Sequence, residues 1–305
     1  MINPKQYYLD IFGVTENQLE KLVAEGLRSG GDYSDLFFEN TSHCDLLLRD
    51  GKVTSGGSHI DFGVGIRVLK GEKTGYAYSE STDTASLMQA AKAAASIADG
   101  AGASQSPRPL SDKEIIINAK DRAASYVPSE SNGGRPVRKF FLGAPNPNAD
   151  RYPILDDWRN AEASRFLPFL MKVQDEVSKK DPRIIKIIAM LSYEVTDCLM
   201  FNSFGELKYD TRPMASVVLS VIFKQGDKIE NKSVSRSYRM GAEMLSDSLI
   251  EDLVSRAVKG IDQRFEAKRP KGGKMPVVMG AGASGILLHE AMGHAFEADF
   301  NRKGQ

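Results

Sequence analysis

The sequence predicts an α+β protein, mostly antiparallel sheets with packed helices, on three observations. Two β-rich stretches are cut at short intervals by tight-turn residues, as in antiparallel meanders. Apolar residues at helical spacing precede or follow each of them. The composition is that of a globular chain able to bury a core, with 41% apolar and 26% charged residues.

Taken in order, residues 16–28 place Leu19, Leu22, Val23 and Leu27 on one helical face, and Gly30-Gly31 supply the stop. Short strands are expected at 36–38, 44–48 and 62–69, with Asp50-Gly51 as a hairpin turn between LLLR and KVTS. A further turn at 71–73 leads to a strand at 75–78. Residues 82–98 read as an alanine-rich helix capped near Thr82 or Asp83. Residues 101–109 and the Pro- and Gly-rich stretch 127–153 are loop-like, and a loop of the second length is either a functional cover or an insertion. The single tryptophan, Trp158, is expected to anchor a loop on the core. Helical spacing resumes at 161–180 with Phe166, Leu170, Val173 and Val177, and Asp181-Pro182 ends it. Strands follow at 184–191, 199–201, 207–209 and 216–224, with turns at 202–205 and 225–227. Residues 248–267 form an amphipathic helix broken by Pro270, Gly272 and Gly273. A short strand at 276–279 and a helix opening after Gly282 complete the reading. The expected organisation is an N-terminal α+β domain over 1–110, a central α+β domain over 111–268, and the start of a third domain over 269–305.

Charge and cysteine content exclude several function classes. Lys plus Arg balance Asp plus Glu at 40 each, which gives no electrostatic case for nucleic acid or an anionic membrane. No apolar run is long enough to span a bilayer, and the N-terminus lacks the pattern of a secretory signal. Only Cys44 and Cys198 are present, far apart, so reduced thiols in the cytoplasm are expected rather than a disulfide scaffold.

The chemistry concentrates in GILLHEAMGHAFEADFNRKG, residues 285–304. Two of the chain's four histidines, His289 and His294, lie five apart, with Glu290 after the first. Neutral imidazole is the commonest zinc ligand, and a catalytic zinc keeps one position for water. The ion lowers that water's pKa to roughly 7, and a neighbouring carboxylate can take the proton and return it to the leaving amine. Glu290 has the type and place for that role. The i, i+5 spacing sets a condition. On a regular helix these histidines diverge by about 140°, against about 40° for an i, i+4 pair. A widened i→i+5 turn or a kink between Ala291 and Ala295, eased by Gly293, is therefore expected. Glu297 and Asp299 are candidate outer partners for the imidazoles, or a solvated helix end. Cys198 reads as buried core, and His43 and His59, without ligand spacing, as surface polar residues. A competing pattern, Gly280, Gly282 and Gly285 as G-x-G-x-x-G, outlines a dinucleotide-binding turn. Asp299, the acid at the expected offset, does not end a second apolar strand, and a tight strand-to-helix connection is preferred.

The run GASGILLHEAMGHAFEADFNRKG, residues 282–304, closely resembles the signature of TldD proteins in the TldD/PmbA family. VGIRVLKGEKTGYAYSE (64–80) resembles that family's N-terminal block, and DPRIIKI (181–187) and GELKYDTRPMASVVLSV (205–221) its central block. HExxxH is specific, because the PmbA/TldE half of the family lacks it. The resemblance implies a zinc-dependent peptidase acting on unfolded or extended peptides. His289 and His294 match the family's Zn2+ ligands and Glu290 its catalytic glutamate. It also implies a TldE/PmbA-like partner subunit, or a homodimer, and peptide bound as an added strand at a sheet edge. The family's third ligand is a cysteine far downstream, matched by neither Cys44 nor Cys198. The expectation is thus a C-terminally truncated metallopeptidase domain with its third ligand beyond residue 305, and a chain inactive by itself. The alternative from another class is a non-catalytic modulator or interaction subunit that keeps the fold.

Overall fold

Long strands, rather than the short ones expected, organise the chain. The computed structural model describes residues 3–100, 115–116, 152–269 and 271–303. The loops expected at 101–109 and 127–153 lie outside them, apart from Tyr152 and Pro153. The described residues fall into two compact units, residues 3–100, 115–116 and 152–266 in the first and 267–269 with 271–303 in the second.

In the first unit, helices α1 (Lys5–Phe12) and α2 (Glu16–Leu27) precede strands β1 (Tyr33–Arg49), β2 (Lys52–Lys70) and β3 (Lys73–Ser79). Helix α3 (Thr84–Asp99) follows, and after the undescribed stretch come α4 (Leu167–Ser178), β4 (Ile184–Asn202), β5 (Leu207–Gln225), β6 (Lys228–Tyr238), α5 (Asp247–Val258) and α6 (Ile261–Glu266). The six strands form one antiparallel sheet in the order β3-β2-β1-β4-β5-β6. The expected strands 36–38 and 44–48 are one strand, as are 184–191 with 199–201 and 207–209 with 216–224. Glu39 to His43 do not break β1, because β2 and β4 both pair with it there and satisfy its backbone. The meanders of the two expected α+β domains are therefore joined by the β1–β4 ladder.

One sheet face carries these six helices over two apolar clusters. Leu36, Phe38, Val64 and Ile66 meet α1 to α3 through Phe12, Leu19, Leu22 and Leu87. Leu46, Leu48, Val217 and Leu219 meet α4 to α6 through Leu170, Val173, Leu253 and Phe265. The clusters share strands: Leu199 and Phe201 of β4 belong to the first, Leu46 and Leu48 of β1 to the second. A polar seam crosses this face. Asp197, fully buried, accepts hydrogen bonds from Arg159 Nη1 (2.6 Å), Thr211 Oγ1 (2.6 Å) and Tyr7 Oη (3.1 Å). Burial works against the Arg159 charge, but the hydrogen bonds it donates to Asp157 and the charge of Asp197 outweigh it and hold the guanidinium above its ordinary pKa.

Local chemistry explains the ends. Thr15 and Gln18 form a capping box at α2, and Asp83 caps α3 by accepting from the Ala85 and Ser86 amides. Asp50 and Gly51 take positive φ, 45° and 79°, at the expected hairpin turn. Trp158 anchors as expected: it is buried, donates to Met240 O (2.8 Å) and stacks on Tyr193. Two helices differ from expectation. The one at 161–180 starts only at Leu167, after two 3-10 turns, and the one at 248–267 divides at Gly260, whose φ is +77°.

The second unit, described over residues 267–303, holds α7 (Ser284–Met292), a 3-10 turn (Gly293–Phe296) and α8 (Ala298–Lys303). The strand expected at 276–279 does not form, for no strand of this unit lies beside it among the described residues to complete its hydrogen bonds. Among the described residues no helix is long and apolar enough to cross a membrane.

Candidate metal site

The glycines at 280–285 build a turn into α7. Gly282 has φ +120°, and the Gly285 amide donates to Gly282 O (2.9 Å). Ser284 Oγ donates to Gly280 O. Without the 276–279 strand, this turn lacks the β-strand that a dinucleotide-binding fingerprint needs. Gly280, Gly282 and Gly285 are a helix-entry device.

His289 and Glu290 ride on α7, and His294 follows a break. The helix ends at Met292, where φ is −132° and ψ −37°, and the chain passes into the 3-10 turn carrying His294. The kink thus falls within the expected 291–295 window, but it tightens the chain instead of widening it, a correction to the i→i+5 turn. Its effect is to bring the two imidazoles together, with ring centroids 4.6 Å apart. Gly293 makes this possible. A Cβ there would lie 3.0 Å from His289 Nδ1, so any larger residue presses on the ring.

One donor atom from each of His289, Glu290 and His294 lies within 4.8 Å of the others, all on exposed residues. His294 Nε2 is 3.3 Å from Glu290 Oε2, and its Nδ1 is 2.5 Å from Glu297 Oε1. A carboxylate on Nδ1 selects the tautomer whose Nε2 lone pair is free for a cation. Glu297 thus sits where an outer partner belongs, while the Asp299 side chain lies outside the described residues. Two imidazoles and a carboxylate suit a divalent transition ion in donor chemistry.

The thiols do not join this group. Cys44 and Cys198 are both free and buried in the sheet unit. Burial pushes the Cys198 thiol up to about 11, so it stays protonated, and it points at Asp210 O (3.5 Å). Helix α7 itself buries no side chain: Ile286, Leu287 and Leu288 are 63%, 61% and 57% exposed, the surface of a helix made to be covered. A second cluster, formed by His43, His59 and Asp61, was missed from the sequence, because its members meet only across strands.

Two family models match within the first unit. Residues 34–98 match the description "PmbA/TldA metallopeptidase domain 1" and residues 156–262 its "central domain". A metalloprotease TldD homolog of Haemophilus influenzae is 30% identical over 277 residues, covering 89% of this chain and 51% of the relative. The homolog from Buchnera aphidicola subsp. Schizaphis graminum is 27% identical over 280 residues, covering 90% and 51%. A metalloprotease of Methanocaldococcus jannaschii is 24% identical over 283 residues, covering 92% and 54%. The chain therefore spans about half the length of these relatives. Among solved structures, a proposed DNA gyrase modulator from Bacteroides thetaiotaomicron superposes with TM-score 0.55 at 12% identity, covering 79% of this chain and 49% of that one. TldE from Thermococcus kodakarensis superposes with TM-score 0.50 at 16% identity, covering 80% and 47%. These likenesses show the fold.

Proposed function

The chain belongs to the PmbA/TldD metallopeptidase family, and on that premise we propose that it is the metal-carrying part of a zinc-dependent peptidase acting on extended or unfolded peptides. The observation that carries this reading is the convergence of His289, Glu290 and His294 donor atoms to within 4.8 Å across a broken helix. His289 and His294 hold the ion, and Glu297 orients His294. Bound there, zinc supplies Lewis acidity toward the peptide carbonyl and acidifies a water. Glu290 would act as the general base toward the attacking water and as the general acid toward the leaving amine, a role worth roughly 10²- to 10⁴-fold in rate. The third ligand that the family resemblance implies is a cysteine, and neither Cys44 nor Cys198 matches it. An extended peptide is bound through its backbone as an added strand, which accounts for low sequence preference. The family likeness to TldE supports a TldE-type partner subunit or a homodimer, and two free thiols support a reducing, cytoplasmic setting.

The test is peptide cleavage by the chain assembled with its partner. Glu290→Gln is expected to keep zinc and to lose about 10²-fold or more in kcat. Undiminished cleavage by that variant removes Glu290 from the chemistry. His289→Ala and His294→Ala are expected to lose cleavage together with the zinc held at this site, measured in the His59→Gln background. A second reading, a non-catalytic modulator subunit, is favoured by one observation: the described residues offer two imidazoles here and no thiolate. Zinc binding with no cleavage of any unfolded peptide by the assembled protein favours that reading.

A further inference from the structure

We propose a second divalent-metal site on the sheet, formed by His43, His59 and Asp61 and oriented by Glu194, independent of the HExxxH segment. The register builds it. His43 on β1 lies directly opposite His59 on β2 and opposite Glu194 on β4, while Asp61 is two residues beyond His59 and opposite Thr41. Directly opposed residues, and residues two apart on one strand, project from the same face. All four side chains therefore stand together on the face turned away from the helices. Opposed Cβ atoms are only about 4.5–5.5 Å apart, within reach of one shared ion.

The distances fit. His43 Nε2 is 3.1 Å and His59 Nε2 3.9 Å from Asp61 Oδ2. A zinc with ligands at about 2.0–2.2 Å sets tetrahedral ligand–ligand separations of roughly 3.3–3.6 Å, between those two values. The imidazoles stack in parallel, with centroids 4.4 Å apart and planes at 10°, so both present an edge nitrogen to the same carboxylate. On its other side, His43 Nδ1 lies 3.3 Å from Glu194 Oε2. Glu194 is placed to accept a hydrogen bond from His43 Nδ1–H, the tautomer that leaves the Nε2 lone pair aimed at Asp61 and available to a cation. A lone pair facing a carboxylate at 3.1 Å is repulsive unless a proton or a cation stands between them, and a divalent ion also satisfies His59. His59 and Asp61 are open to solvent, with side chains 62% and 65% exposed, so an ion can enter and a water can complete the shell. Imidazole with carboxylate selects zinc or a neighbouring transition ion over magnesium or calcium. The site has a structural purpose as well. Residues 52–61 of β2 are all exposed, and an ion held by β1 and β2 pins that half of the hairpin to the sheet.

The experiment uses the whole chain carrying His289→Ala and His294→Ala, so that only the proposed site remains, with zinc chloride as the probe. Equilibrium dialysis is expected to find one zinc per chain, and saturating zinc to raise Tm by roughly 5–10 °C. Adding His59→Gln, at an exposed position that folding tolerates, abolishes both. Glu194→Gln keeps the stoichiometry and weakens binding about tenfold. Hydrogen exchange of residues 52–61 slows on zinc addition and not in the His59→Gln background. No zinc bound by the double variant, or equal binding with and without His59→Gln, overturns the site. Neither outcome touches the role of His289 and His294, which are absent throughout.

Discussion

At the scale of single residues, the decisive contacts are those that hold a polar group where burial or a ring would otherwise forbid it. Gly293 is one: a methyl group there meets His289 Nδ1 at 3.0 Å. Gly293→Ala is expected to turn the ring away and weaken zinc binding at His289 and His294 about tenfold, the size of a lost orienting contact, measured by chelator competition in the His59→Gln background. Arg159 is another. It links Asp157 to the fully buried Asp197, so Arg159→Ala strands a buried carboxylate and is expected to cost about 3 kcal/mol in urea unfolding. The same seam responds to pH. Burial pushes the Asp157 carboxyl up, but its hydrogen bonds to Arg159 prevail and hold it below the ordinary value. The unfolded chain therefore binds the proton first, and the stability this group contributes is fully present above about pH 4 and lost as pH falls through its lowered pKa. Melting temperatures from pH 6 down to pH 3 are expected to fall more steeply in the native chain than in Asp157→Asn.

At the scale of elements, caps and glycine contacts set what each helix can do. The capping box of α2 rests on Thr15 and Gln18, and Thr15→Ala is expected to cost about 1 kcal/mol. Helix α3 lies so close on β3 that a Cβ at Gly75 would sit 1.9 Å from Ala94 O. Gly75→Ala must push the helix off the sheet, at about 1–3 kcal/mol, and an equilibrium denaturation series with Thr15→Ala as reference measures it. The alanine-rich pattern, its cap at Asp83 and its length were legible in the sequence, because helix period and cap chemistry are local. The end of the HExxxH helix was legible only in part. The spacing of His289 and His294 demanded a break, and Gly293 marked its place, but whether the chain tightened or widened depended on backbone angles at Met292.

At the scale of the whole molecule, the β1–β4 ladder joins the strands of the first unit into one sheet, and one cooperative unfolding unit is expected. Residues 1–110, expected as a domain, lack Leu199 and Phe201 of β4, which complete their apolar cluster. A fragment of those residues is expected to remain unfolded by near-ultraviolet circular dichroism, while the whole chain melts its sheet unit in one transition. A folded fragment with native-like signal contradicts this account.

What the sequence by itself determined was local or periodic: the α+β class, the helices α2 and α3, the Asp50-Gly51 turn, and the His289, Glu290, His294 triplet within one short segment; α1 (Lys5–Phe12) was not read. Tertiary structure alone decided which distant residues meet. At the hairpin tip Arg49 pairs with Lys52, but a bulge at Leu47/Leu48 shifts the pairing by one residue, and only so does His43 face His59. Without the bulge it would face Ser58, and His59 would project from the opposite face, because side chains alternate with period two. The reason is physical: helix period and turn chemistry are written in neighbouring residues, whereas strand register is a sum over long ladders and the cores they cover.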